Sequence, residues 1–425
     1  MMKETYKDVL KIALPAMAEN ILQMLMGMVD SYLVASLGLV ALSGVSLANN
    51  ILAVYQAIFI ALAAAISSRM AQMLGQGKTE KVGYLASESL KVTLFVSLVL
   101  GALAVLAGPY LLTGLGAEAA VAKAGGLYLI LVGGGILFLG LMMSLGAMLR
   151  ALGQPRFPMY ISLLSNVLNA LFSAFAVFVL HAGVAGVAIG TVLSRLIGCS
   201  LLWSRLPISL KPWTWSFDKE LLRLALPATG ERLMMRVGDV VVVALITSLG
   251  TATVAGNAIG ETLTQFNYMP ALGIATATII LTAKHRQDKA TVRHIFRTSF
   301  GLSLLFMFLV AGVTYFAGPF LISLYTKDIQ AVQASQTVLF YAMLGVPFTA
   351  GTLIMTALWQ GLGSARLPFY ATTIGMWLVR IGIAYLLVTF FKIGLSAIWI
   401  ATILDNAFRA GVLFFQYRYS KQESI

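Results

Sequence analysis

Long apolar runs, separated by short charged or Gly- and Pro-containing stretches, extend over almost the whole chain. A helix needs about 20 apolar residues to cross the hydrocarbon core of a bilayer. On that criterion the pattern predicts twelve transmembrane helices, six in each half. We number these predicted helices spans 1 to 12: 8–37, 41–74, 84–108, 121–149, 157–181, 185–206, 220–249, 253–283, 292–317, 329–361, 367–391 and 394–417. The chain is therefore predicted to be an all-α integral membrane protein.

The second half of the chain repeats the first at an almost constant offset. Three blocks return after 212, 210 and 211 residues respectively: Leu14-Pro15-Ala16 as Leu226-Pro227-Ala228, Leu152-Gly153 as Leu362-Gly363, and Gly183 as Gly394. Such spacing indicates a duplicated unit. Because each half has an even number of spans, both repeats enter the membrane in the same orientation, and we expect parallel repeats. The predicted domains are two six-helix lobes, 1–208 and 219–425, joined by a cytoplasmic linker at 209–218.

Composition and charge agree with a membrane protein. Charged residues make up 11% of the chain and mean hydropathy is +0.90, whereas a soluble domain carries roughly 25% charged residues. The net charge of +13 could suggest a nucleic-acid partner, but the basic residues concentrate in alternate loops. The opposite loops hold little more than Lys123, Lys327 and Lys392. By the positive-inside rule we expect a multi-pass protein of a bacterial or archaeal plasma membrane with both termini cytoplasmic, and no nucleic-acid partner.

Catalytic motifs are not found in the sequence. The three histidines have no metal-ligand spacing, and no glycine loop ends in Lys-Ser or Lys-Thr for nucleotide phosphates. A membrane enzyme, the alternative, would need clustered catalytic groups. Cys199 is the single cysteine, which excludes an intramolecular disulfide. We therefore predict a protein that is not an enzyme and has no cofactor, and whose transport is driven by an ion gradient.

Asp30 is the strongest candidate for coupling transport to that gradient. It lies well inside span 1, and a charge buried there is costly and is usually kept for a function. Glu19, Gln23, Gly27 and Asp30 follow each other at steps of three or four residues, which places them on one helix face. A carboxylate in such a place can carry a proton or bind a small cation. Pro15 opens the helix and could allow it to bend.

Two other spans carry polar residues that could complete an ion site. Span 5 has Asn169 and Ser173 on a polar stripe at helical spacing, and span 6 has Thr191. Their oxygen atoms, with those of Asp30, are hard ligands of the kind that a small cation takes. We predict that Asp30, Asn169, Ser173 and Thr191 bind H⁺ or Na⁺, with Asp30, Asn169 and Thr191 as possible Na⁺ ligands. The alternative is that the Asn and Ser residues only form hydrogen bonds between helices.

The second half arranges its charges differently. Val242 occupies the repeat position of Asp30, so no acid matches it there. Arg236 could pair with Asp239 one turn further along span 7. Asp405 could pair with Arg409 on span 12, and Arg380 is a further candidate partner for Asp405. Because acids and bases are nearly balanced, we interpret these charges mainly as mutual neutralisation.

Several motifs resemble those of the multidrug and toxic compound extrusion (MATE) family. The first helix is similar in Leu14-Pro15, Gly27-Met28-Val29-Asp30 and Leu37-Gly38, and the loop after span 4 resembles the family pattern R-x-x-G-x-x-x-x-P from Arg150 to Pro158. Spans 7, 10 and 11 add similar motifs: Pro227 with Glu231, Arg232 and Arg236, then Gln360-Gly361 with Gly363, Arg366 and Pro368, and finally Trp377 with Arg380. Taken in order and at the repeat spacing, they cover essentially the whole chain.

This resemblance implies two six-helix bundles around a central V-shaped cavity, and export of organic cations in exchange for H⁺ or Na⁺. Family members with a cation site in the N-terminal lobe use positions that Asp30, Asn169 and Thr191 match, while Ser173 stands where the family has an Asp. The branch with a helix 7 Glu and a helix 10 Asp is matched poorly, since Met235 falls near the first position and span 10 has no acid. The chain looks closer to the DinF-like branch.

The residues of the spans also predict the substrate and the partners. The expected substrates are cationic or amphipathic drugs, since flexible Met side chains suit a promiscuous pocket and span 1 supplies acids, although the methionines could simply pack between helices. The predicted cavity residues are Glu19, Gln23, Met26, Met235, Asn257 and Glu261. A flippase for a lipid-linked precursor or oligosaccharide is the alternative function, and a non-transporting scaffold is a third. We expect a monomer in the lipid bilayer.

Overall fold

The structure is a computed structural model that describes residues 2–212 and 217–420. All regular secondary structure among these residues is helical. The helices, with two π-helical turns named π1 and π2, are α1 (Met2–Ala35), α2 (Leu39–Gly75), α3 (Thr79–Gly114), α4 (Ala119–Tyr128), π1 (Leu129–Gly133), α5 (Ile136–Ala151), α6 (Arg156–Phe178), α7 (Gly183–Ser204), α8 (Lys219–Thr247), α9 (Thr251–Lys284), α10 (Lys289–Phe316), α11 (Gly318–Ser323), α12 (Ile329–Leu344), α13 (Val346–Gly361), α14 (Arg366–Ile374), π2 (Gly375–Ile381), α15 (Gly382–Thr389) and α16 (Leu395–Tyr419).

The helices correspond to the twelve predicted spans. Span 4 is formed by α4, π1 and α5, span 10 by α12 and α13, and span 11 by α14, π2 and α15. Nine helices of the described chain are long and apolar enough to cross a membrane, or up to 11 if each of two bent helix pairs is one span. The remaining span is α8, which is less apolar because it carries Glu231, Arg232, Arg236 and Asp239.

The two bent helix pairs occur at equivalent places in the two repeats. The pair α4–α5, including π1, bends by 44°, and the pair α12–α13 bends by 57°. The breaks lie at Gly135 and Gly345, which are 210 residues apart. Both glycines have ψ near zero, at 15° and −3°, outside the usual helical range. The duplication seen in the sequence therefore extends to the local geometry of a broken span.

Glycines of the repeated blocks begin helices or end them in a left-handed conformation. Gly38 and Gly250, 212 residues apart, precede α2 and α9 with φ of 110° and 109°. Gly153 and Gly363, 210 residues apart, follow α5 and α13 with φ of 86° and 83°. Only glycine adopts such values without steric cost. These residues recur in both halves because the same turns need them.

By its contacts the chain divides into two compact units. The N-unit consists of Ala18–Ala225, and the C-unit of Met1–Met17 with Leu226–Ile425. Each boundary therefore falls within a helix, α1 or α8, two residues from Pro15 and one from Pro227 respectively. The division 1–208, 209–218 and 219–425 stays a prediction, and residues 213–216 of its linker lie outside the described part of the chain.

Described parts of the linker pack along α3 inside the N-unit. The backbone N–H of Lys211 donates to the Ser87 hydroxyl at 2.9 Å, and that of Asp218 donates to the buried Glu88 carboxylate at 3.2 Å. The Phe217 ring lies 4.9 Å from the Lys91 ammonium group, close enough for a cation–π contact. A stretch that the sequence predicts only as a linker thus forms specific contacts with one helix.

Candidate functional site

Small residues bring α6 and α7 close together in the N-unit. Gly186, Gly190, Ser194 and Gly198 recur every four residues along α7 and form one face of it. A Cβ atom at Gly190 would lie 3.0 Å from the Ser173 hydroxyl of α6. Close approach of backbones through small residues is the usual way helices associate in a membrane, where burial from water no longer drives packing. This packing places the residues beside Gly190 against the polar stripe of α6.

Asp30, Asn169, Ser173 and Thr191 meet in one hydrogen-bonded cluster. The Asn169 side-chain amide donates to both carboxylate oxygens of Asp30, at 3.1 Å each. The hydroxyl groups of Thr191 and Ser173 donate to the Asn169 carbonyl oxygen at 3.2 and 3.3 Å. Asn169, Ser173 and Thr191 are buried, and Asp30 is partly exposed. The structure thus brings together, from α1, α6 and α7, the four residues that are predicted on three separate spans.

The amide of Asn169 can serve Asp30 in either of two orientations. With its NH₂ group toward Asp30, as found, it donates to the carboxylate and suits the ionised acid without a cation between them. Rotated by half a turn, it would present its carbonyl oxygen to Asp30, which suits a protonated carboxyl group or a bound cation. The hydroxyls of Thr191 and Ser173 can donate or accept, so they can pair with either end of the amide.

Two further residues adjoin this cluster and were not selected from the sequence. Arg195 follows Thr191 by one helical turn and acts electrostatically on Asp30, with no direct ion pair between these two described residues. Tyr128, the last residue of α4 before π1, is buried and lies close to Thr191. Arg195 is an ionisable residue inside span 6. An ionisable residue inside a membrane span indicates a functional site, so the sequence does contain a signal for Arg195. Tyr128 gave no comparable signal, because nothing in the sequence distinguishes it from other membrane tyrosines.

The C-unit holds a second cluster of charged residues. The guanidinium group of Arg409 donates to both oxygens of Asp405, at 2.9 and 3.0 Å, as expected for a pair one helical turn apart. Arg380 of π2 also pairs with Asp405, at 2.8 Å between Nη2 and Oδ2. Asp405 is completely buried, so two cations compensate its loss of hydration. The pairing of Asp405 with Arg409 and Arg380 that the sequence predicts is present.

Asp239 differs from the prediction in its partner. Its ion pair is with Arg380, at 3.8 Å between Nη1 and Oδ1, while Arg236 acts on it electrostatically from farther away. The side chain of Asp239 is 48% exposed. Helical spacing indicates partners on the same helix only. It could not indicate Arg380 as the partner of Asp239, because Arg380 lies about 140 positions later in the chain.

The six residues predicted to line a substrate cavity are distributed over the two units. In the N-unit, Glu19 pairs with Arg150 at 2.9 Å, Gln23 is exposed and Met26 is partly buried. In the C-unit, the sulfur of Met235 lies 3.5 Å from Nη1 of Arg409, Asn257 accepts a hydrogen bond from Trp399 at 3.1 Å, and Glu261 is exposed one turn from Asn257. Their common role in binding substrate stays a prediction. Among the described residues, no three His, Cys, Asp or Glu side chains are grouped so that they could hold a metal ion.

Comparisons with known proteins identify the class of protein. The MatE family model matches residues 15–175 and again residues 227–386. The two matches begin 212 residues apart, which is the offset of the first repeated block. An all-helical chain with two such repeats is a membrane transporter of the MATE type. The protein belongs to the MatE family.

Individual relatives support the assignment along the full chain. A probable multidrug resistance protein NorM from Thermotoga maritima is 31% identical over 97% of this chain and 92% of its own length. An uncharacterized transporter, YisQ, from Bacillus subtilis is 24% identical over 95% of this chain and 92% of its own length. Among solved structures, a MOP superfamily transporter from Pyrococcus furiosus, described as having a binding pocket of reverse polarity, matches with a TM-score of 0.90 and 21% identity over 98% of this chain and 96% of its own. A solved structure of a MATE transporter in complex with MaD3S matches with a TM-score of 0.90 and 21% identity over 99% of this chain and 97% of its own. The fold is therefore that of solved MATE transporters.

Proposed function

We propose that this protein is a secondary active multidrug efflux transporter, which exports cationic or amphipathic organic compounds in exchange for H⁺ or Na⁺. The similarity to multidrug resistance proteins named NorM supports the drug substrates. The hydrogen-bonded cluster at Asp30 is the observation that supports ion coupling, because it joins one acid to neutral amide and hydroxyl groups inside the membrane.

In this proposal the coupling ion is a transported substrate that binds at Asp30. A proton would bind to a carboxylate oxygen, and Na⁺ would take oxygen ligands from Asp30, Asn169 and Thr191. Either event removes the net negative charge of Asp30 and favours rotation of the Asn169 amide, so that its carbonyl oxygen faces the neutralised acid. The hydroxyls of Thr191 and Ser173 follow that rotation. The state of the acid is thereby communicated from α1 to α6 and α7.

The same event would change α1 as a helix. Pro15 removes one backbone hydrogen bond in the interior of α1 and lowers the cost of bending there. An ionised Asp30 is held to Asn169 by two hydrogen bonds, and a neutral one loses part of that attraction. We propose that α1 then bends near Pro15 and alters the environment of the bound drug.

The decisive experiment replaces Asp30 by Asn and measures coupled export. Asp30→Asn keeps the size and hydrogen-bonding capacity of the side chain but removes its ionisable group. Folding should therefore be retained, while drug uptake into inverted vesicles, which corresponds to export from the cell, is lost. Proton and sodium gradients are imposed separately, which identifies the ion. Glu80→Asn, in the exposed first turn of α3, is the matched control and should transport normally. Undiminished efflux by well-folded Asp30→Asn protein would refute the proposal.

A further inference from the structure

Arg380 occupies the position in the second repeat that Asn169 occupies in the first. The offset between the repeats is 210 residues at Arg366, where α14 begins, and 211 residues at Gly394, just before α16. The π-helical turn Gly375–Ile381 lies between these points, and an i→i+5 turn accommodates one additional residue. At the offset of 211 residues, Asn169 aligns with Arg380.

An acid of the first helix faces this position in both repeats. Val242 aligns with Asp30, but Asp239 precedes it by three residues and so lies on the same face of α8, about 4.5 Å away along the axis. Asp239 makes its ion pair with Arg380, just as Asp30 makes its hydrogen bonds with Asn169. The C-unit thus contains an acid site equivalent to that of the N-unit, displaced by one turn.

Two other residue differences between the repeats make room for Arg380 and hold it in the second repeat. In the first repeat, the Ser165 hydroxyl donates to the carbonyl oxygen of Ser194. At offsets of 210 and 211 residues these serines become Gly375 and Asp405. Gly375 has no side chain, and a Cβ atom there would overlap the Asp405 carboxylate. The glycine makes room for a buried acid, and that acid anchors Arg380.

The anchoring contact is the stronger of the two that Arg380 makes. Its distance to Asp405 is 2.8 Å, within hydrogen-bond range, whereas its 3.8 Å distance to Asp239 exceeds that range. Arg409 already neutralises Asp405 through two hydrogen bonds, so the charge of Arg380 remains available for Asp239. The other charged groups near Asp239 are Arg236 on its own helix and Glu261 on α9.

The first repeat keeps its guanidinium group farther from the acid. Arg195 aligns with Asn406 at the offset of 211 residues, so the pair Asn169 and Arg195 in the N-unit becomes Arg380 and Asn406 in the C-unit. An amide and a guanidinium have exchanged positions. Asp30 therefore faces a neutral amide directly and a cation at a distance, while Asp239 faces the cation directly.

We propose that Asp239 marks a second site for a small cation, H⁺ or Na⁺, which is closed because the guanidinium group of Arg380 stands where an exchangeable cation would bind. The comparison with Asp30 rests on the proposed function, but the closure of the Asp239 site does not. The first repeat would then exchange a cation with the solution. In the second repeat the guanidinium group of Arg380 would occupy the equivalent place permanently.

The test replaces Arg380 by Asn, the residue of the first repeat. Asp405 keeps Arg409, so Arg380→Asn should leave no buried acid without a cation. Equilibrium binding of radioactive Na⁺ and proton uptake between pH 8 and pH 5 are measured on purified protein and expressed per folded molecule. We expect Arg380→Asn to bind one more cation than the parent in at least one assay. Arg380→Lys, which keeps the charge, should gain none, and Arg380→Asn/Asp239→Asn should lose the gain.

A background without Asp30 separates this inference from the proposed function. Asp30→Asn should bind no coupling cation, and Arg380→Asn/Asp30→Asn should bind one. If Asp30→Asn still binds its cation, the proposed role of Asp30 is wrong, yet a gain from Arg380→Asn would support the closed site all the same. A folded Arg380→Asn protein without any gain overturns the inference. Should Arg380→Asn fail to fold, Arg380→Gln provides the same comparison with a longer amide.

Discussion

Three carboxylates inside the membrane helices differ in what neutralises them. Asp405 has two guanidinium groups within hydrogen-bond distance, Asp239 has one at 3.8 Å, and Asp30 has an amide and a more distant Arg195. The cost of keeping a charge in a medium of low dielectric constant falls as the compensation improves. Of the three acids, Asp30 is therefore the one most readily neutralised by a proton or cation from solution.

This difference predicts opposite defects for two equivalent substitutions. Asp405→Asn removes the acid that holds Arg380 and Arg409, and leaving buried cations uncompensated typically costs about 3–5 kcal/mol. We expect Asp405→Asn to reduce expression and thermal stability, while Asp30→Asn stays folded and is uncoupled. Transport is normalised to folded protein in the membrane. A stable Asp405→Asn protein that is as uncoupled as Asp30→Asn would place the ion path in the second half.

The neutral partners of Asp30 can be tested in the same way. If Asn169 and Thr191 hold the coupling cation, Asn169→Ala and Thr191→Ala should raise the ion concentration needed for half-maximal transport. If they only join α6 to α7, both variants should melt at lower temperature with unchanged ion dependence. Both quantities are measured on the same purified proteins. Ser162→Ala, on the same stripe of α6, is a control that should leave the ion dependence unchanged.

At the scale of elements, the site depends on how closely two helices approach. The amide of Asn169 reaches both Asp30 and Thr191 because α7 presents glycines and serines to α6. The unusual turns also lie near charged or polar residues, since π1 follows Tyr128 and π2 contains Arg380. π-Helical turns are often found at functional sites.

Adding one methyl group to α7 tests this packing. Gly190→Ala would place a Cβ atom 3.0 Å from the Ser173 hydroxyl and 3.2 Å from Cβ of Phe172, so α6 must move away. We expect a loss of about 1–3 kcal/mol in stability and a weaker dependence of transport on the coupling ion. Gly301→Ala in α10 is the control, because nothing lies within 4 Å of its added Cβ atom and alanine favours the helix. Equal melting temperatures for the two variants would contradict this account.

At the scale of the whole molecule, one duplicated fold carries two different charge arrangements. Equivalent breaks at Gly135 and Gly345, equivalent turns and two matches to one family model all follow from the duplication. The ionisable residues do not follow it strictly, since Asn169 aligns with Arg380 and Asp30 with Val242. Backbone geometry is thus shared by the repeats, while side-chain chemistry has become specific to each.

The topology expected from the charge distribution can be measured directly. Cys199 is the single cysteine and is buried, so Cys199→Ala should give a functional protein without thiols. Single cysteines are then introduced at Lys78 and Lys284 for the predicted cytoplasmic side and at Lys123 and Lys327 for the outside. A membrane-impermeant thiol reagent should label only the last two in intact cells, only the first two in inverted vesicles, and all four in permeabilised cells. Labelling of Lys78→Cys from outside would reverse the predicted orientation.

Residues of the two clusters show how much of the site could be predicted from the sequence. The sequence predicts Asp30, Asn169 and Thr191 as site residues because polar residues are rare in apolar spans, and the structure brings them together. Arg195 is an ionisable residue inside span 6, so the criterion that favours Asp30 in span 1 applies to it as well. The partner of Asp239 could not be found, because the pair with Arg380 depends on how α8 packs beside π2. Periodicity orders residues on one helix but does not tell which helices are neighbours.

The sequence by itself determined the class and plan of this protein: long apolar runs require membrane helices, and a repeat at a fixed offset requires two similar halves. It did so because hydropathy and glycine-dependent turns are properties of short segments. Only the tertiary structure decided that the Asn169 amide lies against Asp30, that Arg380 lies between Asp405 and Asp239, and that π2 takes up the extra residue which aligns Arg380 with Asn169. These features depend on distances between helices far apart in the chain, which no local pattern encodes.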